Sequence, residues 1–362
     1  MGKKVLFLLT LAALTTFSVF YVVDGMQAYS RYQQSSLANE EHCGGQSPVR
    51  VCVRSPQAVF SAFYPSYVAK QSPLFTILYS SSSPMTLLVS VSINKFSQVQ
   101  TQTVNATATM QAIPFIPAFQ DQALYNLTQE ENTSLHVQVK NTHTQEYYVN
   151  DIPIILHSRW LMQWIPANRL QIAAWVTPDD RAIAQLLKHA VTHLPDEQAP
   201  APPGMVGYNN ATSQQVIDQV DAIYDALRLD YHMQYVQSTV PYSASGGGNS
   251  TGLENIKLPA EVLQQGNGMC VELTTLMAAA VERIGLHAEI IVIPGHAFLG
   301  VALDGNNTQF AYWDTVDVNN NVAADSANIA ADNLYKQNMQ KRTLIDVIVV
   351  STARDAHVGP MF

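Results

Sequence analysis

Residues 258–317 read LPAEVLQQGNGMCVELTTLMAAAVERIGLHAEIIVIPGHAFLGVALDGNNTQFAYWDTVD. Three features follow one another here: a cysteine after Gly-Asn-Gly, a histidine after Pro-Gly, and an aspartate closing an apolar run. From Met269 to Arg283 there is no Gly or Pro, and Leu273, Leu276, Met277, Ala280 and Ile284 recur at helical spacing. Gly285 is a natural stop for that helix. Cys270 therefore sits in the first turn, behind Gly266 and Gly268. Unpaired backbone N–H groups and the positive end of the helix dipole favour a thiolate there, and the thiolate is the nucleophilic form.

Glu289–Ile293 and Ala297–Leu303 are apolar and β-branched, which predicts strands. Asp304-Gly305-Asn306-Asn307 predicts a tight turn, and Thr308–Trp313 returns as the partner strand. With the turn centred between Gly305 and Asn306, His296 faces a residue near Thr315. Asp314 lies one step from that point and Asp317 two, so either carboxylate can orient the imidazole. A buried cysteine packed as a small hydrophobe is the plain alternative for Cys270, which shares a helix face with Leu273 and Met277. The ordered set of three residues favours a Cys-His-Asp site.

Cys, then His, then Asp, on a helix start, a strand and the next strand, resembles the transglutaminase-like superfamily of papain-related cysteine enzymes. The matching residues are Gly268-x-Cys270 before a Leu/Ala-rich helix, Gly295-His296-Ala297-Phe298, and Tyr312-Trp313-Asp314-Thr315. The runs IKLPAEVL, GMCVEL and GLHAEIIVIPGHAFLGVAL also look like a bacterial transglutaminase-like module at the front of some large helicase-like proteins, often behind a β-sandwich. The resemblance covers residues from Thr177 to the C-terminus. It implies an α+β, papain-like fold in which Cys270, His296 and Asp314 are catalytic. Family members commonly carry Asp-Pro-Thr at the third position, and here Asp314-Thr315-Val316-Asp317 leaves Asp317 as the alternative acid. Papain-like enzymes often place an oxyanion-stabilising glutamine ahead of the cysteine, which points to Gln264 or Gln265, with the Cys270 N–H as a further donor. A plain polar helix end is the other reading of the two glutamines. Tyr312 and Trp313 are candidates for the acyl groove, or alternate between core and surface.

The chain has 362 residues, enough for two domains. Charged residues make up 13%, against about a quarter in ordinary domains, which suits an exported, neutral-polar surface. Net charge is −9 and there is no Lys/Arg run, so the electrostatic footprint for nucleic acid is missing. No helicase motif is present, and the helicase association is not carried over. Lys3 and Lys4 precede Val5–Val23, which bears no charge. That stretch predicts a signal anchor with the body outside the cytoplasm, or alternatively a cleaved signal and a secreted protein.

The expected order is a membrane anchor over 1–24, a polar stalk over 25–55, a β-sandwich over 56–176 and the transglutaminase-like domain over 177–362. Short period-two stretches such as Thr86–Ile93 and Tyr147–Leu156 predict the sandwich. Of the three cysteines, Cys43 and Cys52 form a candidate disulfide, leaving Cys270 as the free thiol. His189 and His193 stand four apart on a predicted helix, which is metal-ligand spacing. No third ligand is apparent, and neither a metal nor a cofactor is expected. Function is expected to be attack on a peptide or cell-envelope amide through a thioester acyl-enzyme. The alternative is an inactive binding or scaffold module.

Overall fold

Alternation of apolar and polar residues builds the first half of the chain. The computed structural model describes residues 40–141, 145–195, 204–236, 252–320 and 322–361. Strands β1 (Glu40–Gly44), β2 (Val49–Ser55), β4 (Phe75–Ser81) and β7 (Gln111–Phe115) form one antiparallel sheet in that order. A second sheet runs β3 (Ala58–Phe60), β9 (Glu146–His157), β8 (Glu131–Asn141), β5 (Met85–Ile93), β6 (Gln100–Ala106). In β5 every second residue from Leu87 to Ile93 is fully buried. These residues meet Val51, Phe75 and Ile77 of the other sheet in one core, so two sheets close over shared apolar faces. Two short helices, α1 (Tyr64–Ala69) and α2 (Asp121–Tyr125), lie in the connections.

Residues 40–55 fall in the expected stalk, yet they form the β1–β2 hairpin. Val49, Val51 and Val53 are buried in the sandwich core, and Gly45 and Pro48 belong to the turn rather than to an irregular tether. The register sets Cys43 opposite Cys52, and a disulfide joins them across the pair.

The membrane anchor is corrected. Among the described residues no helix is long and apolar enough to cross a membrane, so single-pass anchoring has no support. The apolar stretch 5–23 that suggested it lies outside the described residues.

The second half mixes helices and strands. Its helices are α3 (Arg181–Ala190), α4 (Ser213–Asp225), α5 (Pro259–Gln265), α6 (Cys270–Arg283), α7 (Ala324–Lys341) and α8 (Val350–Asp355). Short strands β10 (Leu161–Gln163) and β12 (Leu253–Asn255) pair antiparallel, and β11 (Gln234–Tyr235) pairs parallel with β13 (Asn267–Gly268). The main sheet runs β16 (Phe310–Trp313), β15 (His296–Ala302), β14 (Ala288–Ile293), β17 (Asp346–Val349), antiparallel throughout. Leu299 faces Trp313, one residue further along than a turn centred between Gly305 and Asn306 gives.

Every residue of α6 from Val271 to Val281 is buried, so this helix is enclosed on all sides, with the polar Glu272, Thr274 and Thr275 hydrogen-bonded inside. One face of the sheet (Ile290, Val292, Leu299, Val301, Trp313) shares the main core with α6 residues such as Leu273 and Met277. The other face (Ile291, Ile293, Phe298, Tyr312) packs with Ala331, Leu334 and Tyr335 of α7. Burying α6 between such layers holds its N-terminal residue, Cys270, in a fixed place relative to the start of β15.

Candidate active site

Helix α5 ends at Gly266, whose φ of 67° is a left-handed conformation that other residues adopt only with strain. The chain then turns back through Gly268. A Cβ there would stand 3.1 Å from side-chain carbons of Leu273 and Val262, so a larger residue would require them to give by a few tenths of an ångström. Met269 is extended and Cys270 begins the helix. Glu272, 2% exposed, accepts hydrogen bonds from the Met269 N–H at 2.9 Å and the Lys257 N–H at 2.8 Å. The Lys257 ammonium donates to Asn267 O and Oδ1, both at 3.0 Å, and to Gln265 Oε1 at 3.1 Å. The Thr274 hydroxyl lies 2.7 Å from Cys270 O and 3.2 Å from Ala297 O, linking the first turn of α6 to β15. The loop ahead of the thiol is thus held from three directions. Cys270 is the one free cysteine and is partly exposed.

His296 opens β15 after Gly295, and its Nε2 lies 2.9 Å from Asp314 Oδ2. Both side chains are mostly buried, at 15% and 18% exposure. Asp314 Oδ1 accepts the Val316 N–H at 3.1 Å, which turns the carboxylate toward the histidine. Since Nε2 is taken by Asp314, Nδ1 is the nitrogen left for the Cys270 thiol, which also contacts the ring. Burial opposes charge on the imidazole, but the Asp314 hydrogen bond and the neighbouring thiol outweigh it and hold the ring up to about 10. A ring so held favours the imidazolium across neutral pH, which is the state it reaches by taking the thiol proton.

Tyr235 is a site residue with no local signal in the sequence. The β11–β13 pair sets Tyr235 opposite Gly268, and the Val236 N–H donates to Gly268 O at 2.9 Å. This places the phenol against the Cys270 thiol. Burial pushes the phenol up to about 12, with the adjacent Cys270 and Asp314 adding to the rise. The hydroxyl therefore keeps its proton and remains a donor.

The other candidates fall elsewhere. Gln264 and Gln265 are exposed at the end of α5, and Gln265 is engaged by Lys257. The carboxylate bonded to His296 is that of Asp314; Asp317 is exposed in the following turn. Tyr312 is buried beneath α7, stacked on Tyr335 at 4.2 Å between ring centroids. Trp313 is fully buried in the main core, and its Nε1–H donates to Asp221 Oδ1 at 2.7 Å. Both groove candidates are thus packing residues. His193 and His189 both approach Asp230 Oδ2, at 2.9 and 3.4 Å, a third group the helix spacing alone did not disclose.

Set against known proteins, no family model matches the chain, and neither a curated protein nor a solved structure matches it.

Proposed function

We propose that this protein is a cysteine enzyme of transglutaminase-like type that acts on amide or peptide bonds. The observation that carries the reading is His296 held between the Cys270 thiol and Asp314, with Asp314 at 2.9 Å. Cys270 gives its proton to His296 Nδ1, and the thiolate attacks the carbonyl carbon, forming a C–S bond and a tetrahedral oxyanion. The Cys270 N–H at the helix start and the Tyr235 hydroxyl beside the thiol are donors available to that oxyanion. Collapse breaks the C–N bond, and His296 returns its proton to the leaving amine. Water or a second amine then gives a proton to His296 and attacks the thioester carbonyl, the C–S bond breaks, and the Cys270 thiolate is restored with release of an acid or a new amide. Asp314 holds the tautomer and favours the cation throughout. The motif residues of the resemblance and the disulfide, which suits an oxidising compartment, support the same reading.

The test is intact-mass spectrometry of the full chain incubated with peptide p-nitrophenyl esters and glutaminyl peptides. An acyl adduct that maps to Cys270, is absent in Cys270→Ala and disappears on adding hydroxylamine supports the enzyme. Absence of any adduct across both panels moves the chain to the binding or scaffold reading.

A further inference from the structure

The Asp221–Trp313 pair belongs to no step of the chemistry above, yet it lies one residue from Asp314. We propose that Asp221 is a positioning residue of the site: it locks the Trp313 indole and thereby fixes the direction in which Asp314 leaves β16. This inference rests on the Cys270–His296–Asp314 reading and assigns one more residue to it.

Three observations carry it. Trp313 is the last residue of β16 and Asp314 the next, so one peptide unit joins the buried indole to the carboxylate. Strand pairing with Leu299 holds the Trp313 backbone, but β16 is an edge strand and ends there. What holds the side chain is the core around it and the 2.7 Å bond to Asp221 Oδ1. Without that acceptor, a fully buried indole N–H would be unpaired, and the ring would turn or shift to find one.

Helix α4 is a firm base for the acceptor. Thr212 accepts the Gln215 N–H at 3.2 Å and Gln215 accepts the Thr212 N–H at 2.9 Å, which closes its first turn. Val216, Val220 and Ile223 anchor it in the main core. Asp221 stands among other carboxylates, Asp218, Asp225 and Asp325, and burial pushes it up to about 6. An acid placed where its charge is disfavoured is explained by the indole it serves. Asp221 bonds the Trp313 indole while the His296 ring bonds Asp314, so the link proposed between them runs through the geometry of the Trp313–Asp314 step.

The experiment is an NMR titration of the His296 ring in the full chain, labelled at histidine Cε1. The variants are Asp221→Leu, Trp313→Phe, Asp221→Asn, Asp314→Asn and Val220→Ala. The expected result is a fall in the His296 midpoint of about one pH unit or more in Asp221→Leu and Trp313→Phe alike. Asp221→Asn keeps an acceptor oxygen and should titrate close to wild type. Val220→Ala, which loosens the same helix and keeps the Asp221–indole bond, should not move the midpoint either. Wild-type titration in Trp313→Phe, whether or not Asp221→Leu folds, overturns the positioning role. So does a shift in Val220→Ala equal to that in Trp313→Phe, because the effect would then be general loosening. If Asp314→Asn itself leaves the midpoint in place, the active-site reading fails instead, and the two failures are told apart.

Discussion

Two histidine–carboxylate pairs of one length show how differently the two halves of the molecule use the same chemistry. In the sandwich His157 lies 2.9 Å from Glu130, and Glu130 is 53% exposed. In the second half His296 lies 2.9 Å from Asp314, and neither is more than 18% exposed. His157 is itself only 13% exposed, but water and salt reach its carboxylate partner and screen the pair from that side. The second is walled by the main core, and it has a third member, the Cys270 thiol. Distance alone therefore identifies neither as a site; burial on both sides and a nucleophile do.

That contrast can be broken at its strongest point first. Cys270→Ala should abolish amide turnover, and His296→Ala should lower it by about a thousandfold or more, because groups acting as a unit are lost together. Steady-state assays on whichever amide acylates Cys270 check this. His157→Ala should leave that activity unchanged and cost about 1 kcal/mol in urea melts, through the lost packing of its mostly buried ring on Phe60.

Next comes the disulfide in the other half. Replacing Cys43 and Cys52 with alanine should destabilise the chain by about 2–3 kcal/mol, as expected for a short closed loop. Denaturant titration measures that loss, and Cys270 alkylation should not change. A smaller effect is expected from Tyr235→Phe. Loss of one donor beside the thiol should cost about tenfold in kcat, equivalent to about 1.4 kcal/mol, with KM nearly unchanged.

The pH dependence has a definite sign. The His296 ring is raised from 6.5 to about 10 in the folded protein. Its pairing thus adds stability that is complete below about pH 6.5 and is lost as pH rises through about 10. Asp314→Asn should remove the larger part of that contribution and leave the share that Cys270 supplies. The gap in stability between wild type and this variant should therefore narrow between neutral pH and about 10.

The same contrast explains what was legible in the sequence. Cys270 and His296 each sit at the boundary of a regular element marked by glycine, so local patterns place them. Asp314 follows a hairpin whose turn residues are plain, and a register error of one residue still left it near His296. Tyr235 reaches the site through a two-residue parallel pair with a loop 33 positions away, and nothing in its neighbourhood marks a strand. Asp221 reads as the polar side of an amphipathic helix until Trp313 is seen above it. The β1–β2 hairpin was hidden differently. Gly45 and Pro48 suggested irregular chain, while β2 buries Val51, Cys52 and Val53 in succession and so breaks the alternation that marks a half-exposed strand.

The central claim is that Cys270 and His296 act as one unit, and one measurement tests it most directly. The rate of Cys270 alkylation by iodoacetamide is followed at pH 6.5 in wild type and in His296→Ala, with intact mass reporting the site. The account predicts rapid labelling in wild type and a fall of about a hundredfold in the variant, because the imidazole no longer takes the thiol proton. Equal rates in the two proteins would contradict it.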